Sequence, residues 1–321
     1  MSSEFIYAVS RIRFREQSLL TKSDIDALLA CHDYESCIRM LLDKGWGATG
    51  EAENTDILSA EREKLWALID ELAPDAPELN IFRYQVDFQN LKAAVKSSIT
   101  DASTDGMLLS HGTVSADQIK ESVKNRETDE LPEHLKECAE QAFKTLLETG
   151  NGQLCDVIID KACLEYLSLE AKKHSDSAIR LYSDIFTACA AVKIAARCNL
   201  TGKTRDFMLK ALPNINILVK EELVTAAENS LEEIYSYIST TVLEDSVDAL
   251  KASLSSFEKW CDNYIIEKLK EQKYEHMKIG PIVAYIVARE NEIKAVRLIL
   301  SGKLNNIENA IIEERLRDMY V

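Results

Sequence analysis

The chain has 321 residues, with 38 Lys and Arg against 54 Asp and Glu, and a formal net charge of −16. That balance excludes a general nucleic-acid binder, which carries a basic footprint, and direct docking on anionic lipid headgroups. Only 10 glycines and 5 prolines punctuate the chain, well below the ~12% of typical usage, so it builds few, long elements, helices rather than strands.

The expected elements run as follows. Residues 4 to 20 form a first helix. Thr21 caps the next, with Asp24 at the third position and Ile25, Leu28 and Leu29 as its apolar stripe. Asp33 caps a third, with Cys37, Ile38, Leu41 and Leu42 inward, and Gly45 stops it in the left-handed conformation that glycine takes without strain. A helix from Asp56 to Leu72 ends before Pro74 and Pro77, and another spans about Leu79 to Ile99. The small, polar stretch 97–112 is a first linker candidate. Helices resume at about Ser115–Lys124 and Pro132–Thr149. Gly150-Asn151-Gly152 breaks the chain before Leu154–Lys172 and Ser177–Asn199. A second linker, 199–216, holds Gly202 and Pro213, and the pattern is helical again from Val219 to Met277.

Gly280-Pro281 then starts a last long helix. Its apolar residues Ile282, Ile286, Ile293, Val296 and Leu300 recur in steps of 3, 4 and 7, the period of one buried helix face. Glu290 stands four residues before Lys294, an order that favours an ion pair on the opposite face, and Gly302 ends the helix. Arg289 and Arg297 lie beside the stripe. A buried guanidinium requires a partner, and Glu290, Glu292 or acids of a neighbouring helix can supply it; contact with another protein is the alternative.

Lys92, Lys193 and Lys294 are spaced 101 residues apart, each late in a long helix and each following an aliphatic residue. An acid and an aliphatic residue recur early in the next helix (Asp24-Ile25, Asp117-Gln118-Ile119, Glu222-Leu223). This suggests three copies of one helical unit, of about 100 residues, an ordinary domain size.

No chemistry emerges from the motifs. Gly202-Lys203-Thr204 resembles the end of a phosphate loop, but the glycine that must precede it by five residues is Arg197, and a helix rather than a strand leads into it. His32, His111, His134, His174 and His276 form no metal-ligand spacing. The eight cysteines form no C-x-x-C pair and read as small buried hydrophobes in a reducing cytosol. Glu61-Arg62-Glu63-Lys64 reads as a solvated helix face. No nucleophile elbow occurs. No run of about 18 apolar residues can span a bilayer, and Met1-Ser2-Ser3-Glu4-Phe5 shows no signal-peptide pattern.

Several stretches carry a resemblance: YAVSRIR (Tyr7–Arg13), LLTK (Leu19–Lys22), LLDKGWG (Leu41–Gly47), GTVSADQI (Gly112–Ile119), AYIVARENEIKAVRLILSGK (Ala284–Lys303) and RLRDMYV (Arg315–Val321). In this order, from end to end, the chain resembles the C subunits of archaeal and bacterial rotary V/A-type ATPases, the family of the eukaryotic V-ATPase d subunit. The resemblance implies an all-α protein of three similar domains arranged as a funnel, with boundaries expected at 1–104, 105–208 and 209–321. It implies a non-catalytic cytoplasmic component, peripheral to the membrane, that joins the rotor shaft (the D and F subunits) to the proteolipid ring, with no cofactor, metal or small-molecule substrate. An unrelated helical adaptor is the alternative.

Four residues are candidates for a subunit interface. Tyr7, Arg11 and Arg13 make the first helix locally basic, either to pair with acids of the same chain or to dock a partner. Trp46 sits between Gly45 and Gly47, either folded back as a staple between helices or exposed as an interface anchor.

Overall fold

The computed structural model describes residues 5–47, 56–100 and 107–321. The expected helix start at residue 4, the boundary at 104/105 and the part of the first linker from 101 to 106 lie outside them. The described residues form sixteen α-helices and no strand, the all-α class expected. They gather into two compact units.

The first unit comprises Met1–Ala76, Asp176–Ala178 and Ala252–Val321. It contains helices α1 (Ile6–Glu16), α2 (Lys22–Ala30), α3 (Tyr34–Asp43), α4 (Ile57–Leu72), α14 (Leu254–Leu269), α15 (Gly280–Leu304) and α16 (Asn309–Arg315). Helix α15 is its axis, packed by α1, α2, α3, α4, α14 and α16. It is buried on nearly every side rather than along one face: Arg289, Asn291 and Glu292 are buried with the aliphatic stripe.

The start signals act as expected. Thr21 and Asp24 close a reciprocal capping box, and Asp33 accepts from the Ser36 N–H, each arrangement giving otherwise unpaired amides a partner. Gly45 (φ +80°) closes α3 with two hydrogen bonds, Gly45 N–H to Leu42 O at 2.9 Å and Trp46 N–H to Leu41 O at 3.0 Å, the paired pattern of a left-handed C-terminus. Leu42, expected inward, is exposed: the inward line is Cys37 to Leu41, and the next residue is rotated about 100° away. The first helix stops at Glu16, not at residue 20: the N–H groups of Gln17, Ser18 and Leu19 turn to the carbonyls of Phe14, Arg15 and Glu16, and the Leu20 N–H goes to the Glu292 carboxylate.

Gly302 does not end α15; the helix continues to Leu304. A Cβ at Gly302 would overlap the end of the Ile312 side chain, Cδ1 and Cγ1, so the glycine leaves room for Ile312 where α16 crosses the helix. The expected Glu290–Lys294 pair is not made either. Glu290 holds Arg62 through two 3.0 Å bonds, and Lys294 reaches Asp262 at 3.5 Å, because neighbouring helices present a complementary charge to each.

The second unit comprises Pro77–Ser175 and Ile179–Lys251. It holds α5 (Asn80–Thr100), α6 (Ala116–Asn125), α7 (Glu133–Thr149), α8 (Gly152–Lys173), most of α9 (Ser177–Leu200), α10 (Arg205–Ala211), α11 (Lys220–Asn229), α12 (Leu231–Ile238) and most of α13 (Val247–Ala252). Helices α5 to α8 surround a core containing Phe88, Leu91, Ile119, Leu135 and Ile159. The second linker candidate contains α10: Thr204 caps it by accepting from Phe207 N–H, and Met208 and Ala211 are buried.

Replacing Gly302 by Ala should gain helix propensity of about 1 kcal/mol but overpack Ile312, at a cost of about 1–3 kcal/mol. We expect a net loss of stability in urea, and a positive coupling when Gly302→Ala is combined with Ile312→Ala, which removes the clash. Additive effects of the two substitutions would contradict the close approach.

Candidate functional site

Two places in the first unit bring the expected residues into view. The first is the outer side of α1. Ala8, Val9 and Ile12 face the core, which leaves Tyr7, Ser10, Arg11 and Phe14 outward at helical spacing. Tyr7 is 61% exposed and Phe14 67%. The Arg11 Nη1 donates to Tyr7 Oη at 2.7 Å, and its Nη2 reaches Glu71 at 3.4 Å. Both partners are partly or largely exposed, so this pair adds little stability and keeps the cationic group at the surface. Arg13 is committed differently. Its Nη1 holds Glu16 at 2.8 and 2.9 Å, and its Nη2 donates to the carbonyls of Gln272 and Glu275. It ties α1 to the 272–275 segment.

The second place is the turn after α3. Trp46 is 4% exposed, so the inward of its two expected positions is the one observed. The Arg289 guanidinium lies over its ring, 4.9 Å from the centroid, an attraction of about 2 kcal/mol when shielded from water. Arg289 also donates to Glu61 and to Glu292. Glu61 accepts from the Gly47 N–H at 2.8 Å and from Lys64 at 2.7 Å, and Lys64 donates to the Gly45 carbonyl at 2.8 Å. Gly47 takes φ +91°, a left-handed conformation open to glycine. The Gly-Trp-Gly turn is therefore fastened to α4 by charge-assisted hydrogen bonds and to α15 by the Arg289–Trp46 ring contact.

The expected structural ion pair of Arg289 with Glu292 and an acid of another helix is thus present. Arg297 differs: it is exposed. Glu61 is the residue whose expected position was wrong. It is 1% exposed, not on a solvated face. A signal was available, since Glu61 falls in register with Leu58, Leu65 and Leu72 on the buried side of α4. Burial pushes the Glu292 carboxyl up to about 7, against the opposing pull of Arg289 and of the Leu20 N–H. Nothing in this cluster resembles a reacting centre: its donors and acceptors are turned on one another. Among the described residues no group of three or more His, Cys, Asp or Glu could hold a metal ion, no helix is long and apolar enough to cross a membrane, and none of the eight cysteines is joined in a disulfide.

Known proteins share this chain's pattern along most of its length. The family model described as ATP synthase (C/AC39) subunit matches residues 8–315. The chain is 23% identical over 321 residues to the C subunit of the V-type sodium ATPase of Enterococcus hirae, covering 96% of this chain and 97% of that protein. It is also 23% identical over 349 residues to the C subunit of the A-type ATP synthase of Methanocaldococcus jannaschii, covering 99% of this chain and 86% of that protein.

Arg289→Met should leave two buried carboxylates without their cation and cost about 3–5 kcal/mol in urea unfolding. Adding Glu292→Gln should recover part of that loss. The raised carboxyl of Glu292 sets the sign of a pH effect. The folded chain binds this proton more tightly than the unfolded chain, so its contribution is full below the ordinary glutamate range and is lost as pH rises through about 7. Between about pH 5 and 7.5 the wild type should lose stability more steeply than Glu292→Gln; parallel curves would contradict the assignment.

Proposed function

The chain belongs to the ATP synthase (C/AC39) subunit family, and we propose that it is the non-catalytic central-stalk subunit of a V/A-type rotary ATPase. In this reading it lies at the cytoplasmic face of the membrane and links the shaft of D and F subunits to the proteolipid ring, transmitting torque. The observation that carries the proposal is the family match over residues 8–315, supported by alignment with the two C subunits over most of their lengths. Helices tied by buried ion pairs suit such a part, since a coupling must resist shear between two bodies that turn together.

The proposal includes three related segments, 1–104, 105–208 and 209–321. The 101-residue spacing of Lys92, Lys193 and Lys294 supports it. So does a shared device: each long helix holds, through a buried or half-buried acid, the stretch that leads into another helix of its own unit. Glu292 of α15 takes the Leu20 N–H, Asp87 of α5 takes the Thr113 hydroxyl at 2.5 Å and the Val114 N–H at 3.3 Å, and Asp184 of α9 takes the Asn216 side chain at 2.9 Å.

For the subunit interface we propose the outer side of α1. Tyr7 and Arg11 would make direct contact, with Phe14 beside them. Arg13 would hold the helix in place, and Trp46 would support the unit from within. The exposed aromatic and basic side chains of one helix, in a chain of net charge −16, suit a partner surface with acidic groups.

The test is reconstitution of the purified chain with shaft subunits and membrane proteolipid ring. A stable ternary complex is expected; failure to bind either component would end the proposal. The double substitution Tyr7→Ala/Arg11→Glu should weaken assembly by about tenfold or more, roughly 1.4 kcal/mol. The urea midpoint should stay near wild type, because both positions lie outside the core.

A further inference from the structure

Helix α8 is apolar on two opposite sides. One side buries Cys155, Ile159, Leu167 and Ala171, against neighbours that include α5 and α7. The other side carries Leu154, Val157, Ile158, Ala162 and Leu169 into an open groove of about 1070 Å³ between α7 and α8. Leu169 is 56% exposed there, and the other four are half-buried. An apolar helix side is ordinarily buried against another element. The second apolar side of α8 is left open.

The groove has two unlike edges. On the α8 side, Lys161 and Lys173 already have acids beside them, Glu165 at 3.9 Å and Glu170 at 2.6 Å. Lys210 of α10, which packs on α8, adds one further cation to that side. On the α7 side, Glu137 and Glu148 are exposed and make no ion pair among the described residues. The uncompensated charge along the α7 edge is therefore negative. From Leu154 to Leu169 the floor runs about 22 Å at 1.5 Å per residue, about four helical turns.

We propose that this groove receives an amphipathic helix of another protein chain, with an aliphatic stripe on the floor and Lys or Arg along the edge facing α7. Length, apolar floor and charged edge together match the helix-in-groove mode of recognition. A strand would leave its backbone groups unpaired over such a floor, and an acidic helix would meet Glu137 and Glu148. The inference is independent of the rotary assignment.

The experiment uses the full chain and two labelled amphipathic peptides of about 20 residues. Both have the same Leu stripe; one has a Lys edge and the other a Glu edge. Fluorescence anisotropy should show the Lys-edge peptide binding at least about tenfold more tightly, a difference of roughly 1.4 kcal/mol. Ile158→Asp should abolish that binding. Glu137→Lys/Glu148→Lys, which changes only exposed side chains, should invert the preference between the peptides, with the helical circular dichroism unchanged. Equal binding of the two peptides, no binding of either up to about 100 μM, or a preference that survives the double charge reversal would overturn the proposal. Sedimentation provides a further check. A wild-type dimer that Ile158→Asp dissociates would show that a second copy fills the groove, and would also overturn it.

Discussion

Arg289 cannot give up its charge, and it is buried. An unpaired guanidinium in that position would cost several kcal/mol, a large part of the roughly 5–15 kcal/mol that holds a typical domain together. Its two carboxylates therefore have to be present, and each has a second obligation. Glu61 also holds the Gly47 N–H, and Glu292 the Leu20 N–H. One cation thus fixes α15 against α4 and positions the turns before α2 and after α3. The aliphatic core would tolerate small slides of one helix along another, since apolar contacts have no direction. The charged cluster does not, because hydrogen bonds weaken steeply when misaligned.

The second unit uses the same logic without the arginine. Asp87 is fully buried and accepts from the Val114 N–H, the residue immediately before the Ser115 cap of α6. Leu20 stands in the same place relative to the Thr21 cap of α2. His134 brings its Nε2 to the other side of Asp87 at 3.0 Å and stacks on Tyr166, so α7 and α8 are drawn into the same arrangement. Glu292, Asp87 and Asp184 stand 2, 5 and 9 residues before Lys294, Lys92 and Lys193. Those offsets differ by 3 and 4, which keeps all three acids on one face of their helices. Loop entry is thus governed by an acidic side chain of a long helix in both units, and the acid's place along the helix varies while its face does not.

Most helix positions were legible because their signals are local. Thr21, Asp33, Asp56 and Ser115 cap the helices they were expected to open, and Gly45 ends α3 by its own backbone freedom. What the sequence hid was set by distant partners. Gly302 looked like a stop signal, yet it answers to Ile312 across a helix crossing. Glu61 looked solvated because its neighbours are charged, although its register with Leu58 and Leu65 pointed inward. Beyond the early end of the first helix, the Leu20 N–H goes to Glu292, more than 270 residues away. At the candidate interface, the basic character of α1 was visible. Which arginine stays at the surface and which is committed within was not, because that depends on the carbonyls of Gln272 and Glu275.

Helices α15 and α8 show how far composition can be carried. Both carry apolar residues beyond a single stripe, α15 around nearly its whole circumference and α8 on two sides, and both call for more cover than one neighbouring face supplies. For α15 the demand is met: six helices of its own unit enclose it, and the buried charges it carries are answered by neighbours. For α8 it is met on one side only, and the open side is bordered along α7 by acids that have no cation beside them. A sequence records how much surface a helix has to bury, while the folded chain shows how much of that burial it supplies itself. The difference, in α8, is a groove of defined length and sign, and it separates the helix that organises its unit from the one positioned to accept another chain.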